Sequence, residues 1–220
     1  PAAWGARFVI LSAKKGCNMD KARLEAFSDG VFAIIITVMV LALNAPDGTG
    51  ISALAPRISI FLTYVLSFLY VSIFWINHHL LLSATRRISP AVLWGNINFL
   101  FWMSLVPFFT SWVDEHHADM VPVMAYGIIF LMCVVSFRIL QWTLFRTHDA
   151  DAPIVRLLRP GQRSKISIAG FVVAILMAAV HPYISLGIYV AIAGLWLVPN
   201  KPLVRAIGDG DVCGQNKNGA

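Results

Sequence analysis

The chain alternates long apolar runs with short polar breaks, and the runs are the length of membrane-crossing helices. A helix crosses the hydrocarbon core with about 20 residues, in a range of about 17–25. Phe27 to Asn44 is the first run, with one charge, Asp29, near its start and the turn cluster Asn44-Ala45-Pro46-Asp47-Gly48 behind it. Ile58 to Asn77 is the second, free of charge, with His78 and His79 directly after it. The third, 91–113, is also uncharged, and the fourth, 120–145, carries only Arg138. Between Lys165 and Lys201 no Asp, Glu, Lys or Arg occurs. At 1.5 Å per residue that stretch makes about 52 Å of helix, too long for one crossing. His181-Pro182 interrupts it, and proline ends or kinks a helix before it. Two short spans, 165–181 and 182–199, joined by a hairpin, bring the expected number to six. The pattern predicts an all-α membrane protein.

Charge supplies the orientation. All but two of the 17 Lys and Arg residues, Arg57 and Arg138, fall on one side of the six-span layout. Asp47, Asp114, Glu115 and Asp119 fall on the other. Positive loops stay in the cytoplasm, so both termini are expected there. The net charge of +6 then records topology and does not point to nucleic acid. Composition agrees: 58% of residues are hydrophobic and 13% charged, half the charge of an ordinary soluble domain. Met19 precedes Asp20-Lys21-Ala22-Arg23, and residues 1–18 are expected to be an upstream segment without a folded role. Residues 201–220 are expected to form a cytoplasmic tail. No part is long enough for a separate soluble domain.

Catalytic chemistry finds little support. His78 and His79 are adjacent, about 100° apart on a helix, and cannot chelate one ion together. His116, His117, His148 and His181 fall in loops, and there is no His-Glu-x-x-His. Cys17, Cys133 and Cys213 form neither a metal spacing nor a disulfide framework. No enzyme activity, cofactor, resident metal or soluble substrate is expected.

Asp29 is the conspicuous charge, because a carboxylate inside the edge of a span normally has a partner. Two readings stand side by side. One is an ionised residue favoured by the helix dipole; the other is a buried network with Arg23, Ser28, His78, Asn96 or Asn98. In the third span Asn96, Asn98, Ser104, Thr110 and Ser111 read as helix–helix glue beside Pro107. Arg138 reads as a side chain that snorkels to the interface. On the first span Phe27, Val31, Ile34, Val38 and Leu41 recur at helical spacing and form one seam, most simply a packing stripe. Asp29 lies about 140° round the helix from Ile34, and Thr37 about 60°. The seam and the carboxylate therefore face different ways.

Arg23-Leu24-Glu25-Ala26-Phe27-Ser28-Asp29 has the form R-x-x-x-F-S-D and opens the first span. It resembles the signature of the transmembrane protein 175 family of potassium channels. Gly30 to Thr37, Trp75-x-x-His78 and Asn96 followed by Pro107-Phe108 resemble that family too, so the likeness covers about residues 20–112. It implies a channel of the bacterial branch, with one six-span unit per subunit, four subunits, and a pore lined by the four first helices. Ile34 would then form the hydrophobic constriction, with Val38 and Leu41 along the wider path and Thr37 supporting selectivity beside it. Arg23, Phe27, Ser28, Asp29, Trp75, His78 and Asn96 would hold the pore helix as a buried network. The resemblance implies potassium as the permeant ion, a homotetramer in the lipid bilayer of a bacterial cell, and no nucleic-acid partner. No Thr-Val-Gly-Tyr-Gly filter occurs, so a tight apolar ring that gates by dewetting would take its place. The four acidic residues of the far side are expected to concentrate cations at the outer mouth. The competing expectation is a proton- or cation-coupled transporter using Asp29 and His78.

Overall fold

A computed structural model describes residues 21–46, 48–83, 85, 88–116, 119–146 and 162–197. The upstream segment 1–18, Asp47, Arg86, Arg87, His117, His148 and the tail 201–220 lie outside the described residues. Among the described residues, every regular element is helical. Helix α1 is Lys21–Leu41, a short 3-10 helix covers Ile51–Arg57, and α2 is Ile58–Ser83. Helix α3 is Pro90–Ser104, α4 Val106–Glu115, α5 Met120–Arg146, α6 Gln162–Ala178 and α7 Pro182–Leu197. Four stretches are long and apolar enough to cross a membrane: α1, α2, Pro90–Glu115 and α5. The last two helices, of 17 and 16 residues, are shorter.

The helix ends follow local chemistry. Helix α1 begins six residues before the expected apolar run, because the polar turn at Lys21 is itself anchored. Lys21 lies 3.6 Å from Glu25 one turn on, and its ammonium donates to the Ser83 carbonyl at 2.6 Å. The second bond ties the start of α1 to the end of α2. Helix α2 runs past Asn77 to Ser83, placing His78 inside a helix and not after one. Ser89 caps α3 by accepting from the Val92 N–H, and Pro90 occupies the first turn, where its missing N–H is harmless. The expected third span is two helices, α3 and α4, meeting at Leu105. Pro107 cannot donate to the preceding turn, so the ladder breaks there. Ala179 to His181 form the hairpin between α6 and α7, with the His181 N–H bonded to the Met177 carbonyl at 2.9 Å.

Helix α5 is the central post. It packs against α3, α4, α6 and α7, while α1 packs against α2, α3 and α4. The core is aromatic: Tyr70 lies 4.4 Å from Phe130 between ring centroids, and Phe99 5.3 Å from Phe137. Tyr70 donates to the Tyr189 carbonyl at 2.6 Å, fastening α2 to α7. Gly127 decides how closely α5 approaches α7, since a Cβ there would collide with the Tyr189 ring.

Candidate functional site

Helix α1 presents two contrasting faces. Leu24, Ser28, Phe32, Ile35 and Met39 are buried against the rest of the subunit. Phe27, Ile34, Val38 and Leu41 are exposed, Ile34 at 64% and Leu41 at 75%. These follow from one rule: residues three and four apart share a face. An open apolar groove runs beside the exposed stripe, lined by Val31, Ile34 and Val38 and, across from them, by Ser104, Pro107 and Phe108. Thr37 is exposed next to the stripe, and its hydroxyl donates to the Ala33 carbonyl at 2.8 Å. With the proton held by its own helix, the Thr37 oxygen turns only lone pairs outward.

The buried face carries a directed chain of hydrogen bonds. The Ser28 hydroxyl donates to the Leu24 carbonyl at 2.9 Å, and the Asn96 amide donates to Ser28 Oγ at 3.0 Å. Asn96 Oδ1 therefore accepts, and His78 Nε2, 2.7 Å away, is the donor. Ser28, His78 and Asn96 are each at most 1% exposed, so the chain is closed to solvent within the subunit. Phe32 and Phe99 hold the imidazole, with centroids 5.6 and 5.5 Å from it. Three helices, α1, α2 and α3, are thus locked in mutual rotation.

Asp29 belongs to a separate contact. Its carboxylate accepts from the indole N–H of Trp75 on α2 at 2.8 Å, and both side chains remain partly exposed. Trp75 also stacks on His79. Arg23 and Phe27 are not drawn into either contact. They lie two turns and one turn before Val31, both exposed, and line a second groove with Leu93, Trp94 and Ile97 of α3. The seven residues of the implied network therefore divide into a sealed trio, a partly exposed pair and two outward-facing residues.

A second buried polar cluster joins Thr110, expected as helix–helix glue, to two residues the sequence did not single out, Ser67 and Tyr126. Ser67 of α2 lies 2.9 Å from both the Thr110 hydroxyl of α4 and the Tyr126 hydroxyl of α5. Thr110 donates to the Val106 carbonyl, bridging the backbone next to Pro107. A Ser or Tyr in an apolar run is too common a feature to single out Ser67 and Tyr126. Of the far-side acids, Glu115 and Asp119 are exposed and Asp114 is half-buried, while Asp47 lies outside the described residues. Asp114 thus leaves the expected exposed acidic set, because α4 turns its carboxyl towards Thr63 of α2. Arg138 is half-buried, with Nη1 unbonded among the described residues.

Among the described residues, four apolar helical segments of membrane-crossing length make this a membrane protein, and the comparisons with known proteins give its class. The family described as endosomal/lysosomal potassium channel TMEM175 matches residues 23–107. A potassium channel of Chryseobacterium sp. (strain P1-3) is 39% identical over 189 residues, covering 86% of this chain and 98% of that protein. A potassium channel of Streptomyces collinus is 35% identical over 153 residues, 64% of this chain and 74% of its own. The crystal structure of a lysosomal potassium-selective channel TMEM175 homolog from Chamaesiphon minutus superposes with a TM-score of 0.68 at 25% identity. It covers 81% of this chain and 97% of that chain. The chain belongs to the TMEM175 family. That is a family of ion channels and not of enzymes.

Proposed function

We propose that this protein is a potassium-permeable channel of a bacterial cell membrane, in which four copies set α1 around a common axis. The observation that carries this is the division of α1: one face is pinned by polar bonds to its own subunit, and the other is a bare apolar stripe. In the tetramer Ile34 forms the constriction, Val38 and Leu41 line the wider path, and Thr37 supplies hydroxyl oxygens beside the narrow ring. Each subunit crosses the membrane six times, with α6 and α7 as short spans and both termini in the cytoplasm. Arg23 and Phe27 then meet a neighbouring subunit and not their own network.

The mechanism is gating by wetting. A ring of Ile34 side chains excludes water when narrow and conducts when widened, so no carbonyl filter is needed. Ions pass partly hydrated, and the Thr37 oxygens favour the cation that sheds water at least cost. Potassium is the permeant species, and no cofactor takes part. The locked trio behind α1 keeps the stripe facing the axis during the transition.

The carrier alternative would pass protons between Asp29 and His78. These residues bond different partners, Trp75 and Asn96, and the amide of Asn96 is no proton relay. The two readings separate in planar bilayers with potassium, sodium and caesium gradients. Unitary currents are expected; slow saturable flux without unitary events would favour the carrier. Ile34→Asn should raise unitary conductance several-fold by wetting the ring. An unchanged conductance in a folded tetramer would remove Ile34 from the gate.

A further inference from the structure

At the end of the bundle away from Lys21 and Ser83, the carboxylate of Asp114 stands among oxygens. Thr63 and Ser67 lie one turn apart on α2, and Thr110 and Asp114 one turn apart on α4. Thr63 faces the carboxylate, and Tyr126 is close enough to feel its charge. The protons of these hydroxyls are spoken for. Thr63 donates to the Ser59 carbonyl at 3.1 Å, and Thr110 to Val106 at 2.9 Å. Since Thr110 has used its proton, Ser67 donates to Thr110 and Tyr126 donates to Ser67, each at 2.9 Å. The Ser67, Thr110 and Tyr126 protons are committed away from Asp114, and Thr63 is the one hydroxyl set against its carboxylate. Its Oδ1 is buried and accepts no hydrogen bond among the described residues.

A carboxylate oxygen buried without a donor, beside a single hydroxyl, calls for a positive charge. Arg57, in the 3-10 helix leading into α2, makes no ion pair with it among the described residues; the ion pair present there is Lys21–Glu25, at the opposite end. Exposed Glu115, next in the chain, adds negative potential. Carboxylate and hydroxyl oxygens are the ligands of hard cations, and a divalent ion would call for further carboxylates around it.

We infer that Asp114, with the Thr63 hydroxyl oxygen, binds a monovalent alkali cation between α2 and α4, inside each subunit and off the α1 stripe. The bound ion clamps α4, the half-helix beyond the Pro107 break, to α2. This site stands whether or not α1 lines a pore, because its residues lie on other helices.

The test is thermal unfolding of the purified full chain in sodium, potassium or N-methyl-D-glucamine chloride at matched ionic strength. Sodium or potassium is expected to raise Tm saturably, by about 3–6 °C at ten times its Kd, and N-methyl-D-glucamine is not. Asp114→Asn should abolish the response and Thr63→Val weaken it, while Thr63→Ser and Ile34→Asn keep it. If Asp114→Asn does not fold, the Thr63 pair decides alone. A response equal in all variants, a response lost in Ile34→Asn but kept in Thr63→Val, or stabilisation by lower pH with none from alkali cations would overturn the site. The last result would mean that a proton neutralises Asp114.

Discussion

The two faces of α1 are almost equally apolar, yet only one is specified by the subunit itself. On the inner face Phe32 is 2% exposed and wedged between His78 and Phe99, and Ser28 is sealed beneath Asn96. On the outer face Ile34, two residues on, is 64% exposed beside an open groove. The same composition thus does two jobs. In lipid, burying an apolar side chain against protein gains little over leaving it among acyl chains, so polar bonds and close packing decide which face turns inward. The bare face is left for something outside the subunit, which we take to be three more copies of α1.

The largest break in this comparison comes from Phe32→Ala. Emptying that pocket should lower the unfolding free energy by about 3–5 kcal/mol, whereas Ile34→Ala should change it by less than about 0.5 kcal/mol and alter conductance instead. Unfolding in mixed micelles with matched single-channel recordings measures both. Equal losses of stability would mean that the faces do not differ. Asn96→Ala comes next. It leaves His78 without its acceptor and Ser28 without its donor, a loss of about 1–3 kcal/mol, read as a lower unfolding midpoint. A neutral result would show that the trio does not set the rotation of α1. The smallest effect on folding belongs to Thr37→Val, within about 0.5 kcal/mol because the hydroxyl only returns to its own helix. Its potassium-over-sodium permeability ratio should fall in reversal-potential measurements. An unchanged ratio would assign selectivity elsewhere.

Legibility in the sequence divided along a physical line. The spacing of Phe27, Val31, Ile34, Val38 and Leu41 placed them on one face, because helical periodicity is a property of the chain alone. Pro107 was visible, but not that it would split the third span at Leu105; a proline in a long apolar run can kink, break or be accommodated. His78 read as following the second span, since the uncharged run ends at Asn77, yet α2 carries it into a sealed pocket. For Asp29 the residues named from spacing were Arg23, Ser28, His78, Asn96 and Asn98, and only the family signature brought in Trp75, which is the donor. Ser67 and Tyr126, 59 positions apart, carried no mark at all.

By itself the chain determined how many apolar segments there are, how long each is, and how its positive charge is distributed among the polar breaks between them. Those are one-dimensional quantities, set against the thickness of a bilayer and the sign of its surfaces. The tertiary structure decided how each helix is rotated about its own axis. With apolar residues all round, no hydrophobic stripe dictates that rotation. It is settled by a few close contacts, Asn96 between Ser28 and His78, Trp75 on Asp29, Gly127 against Tyr189, that no single segment can contain.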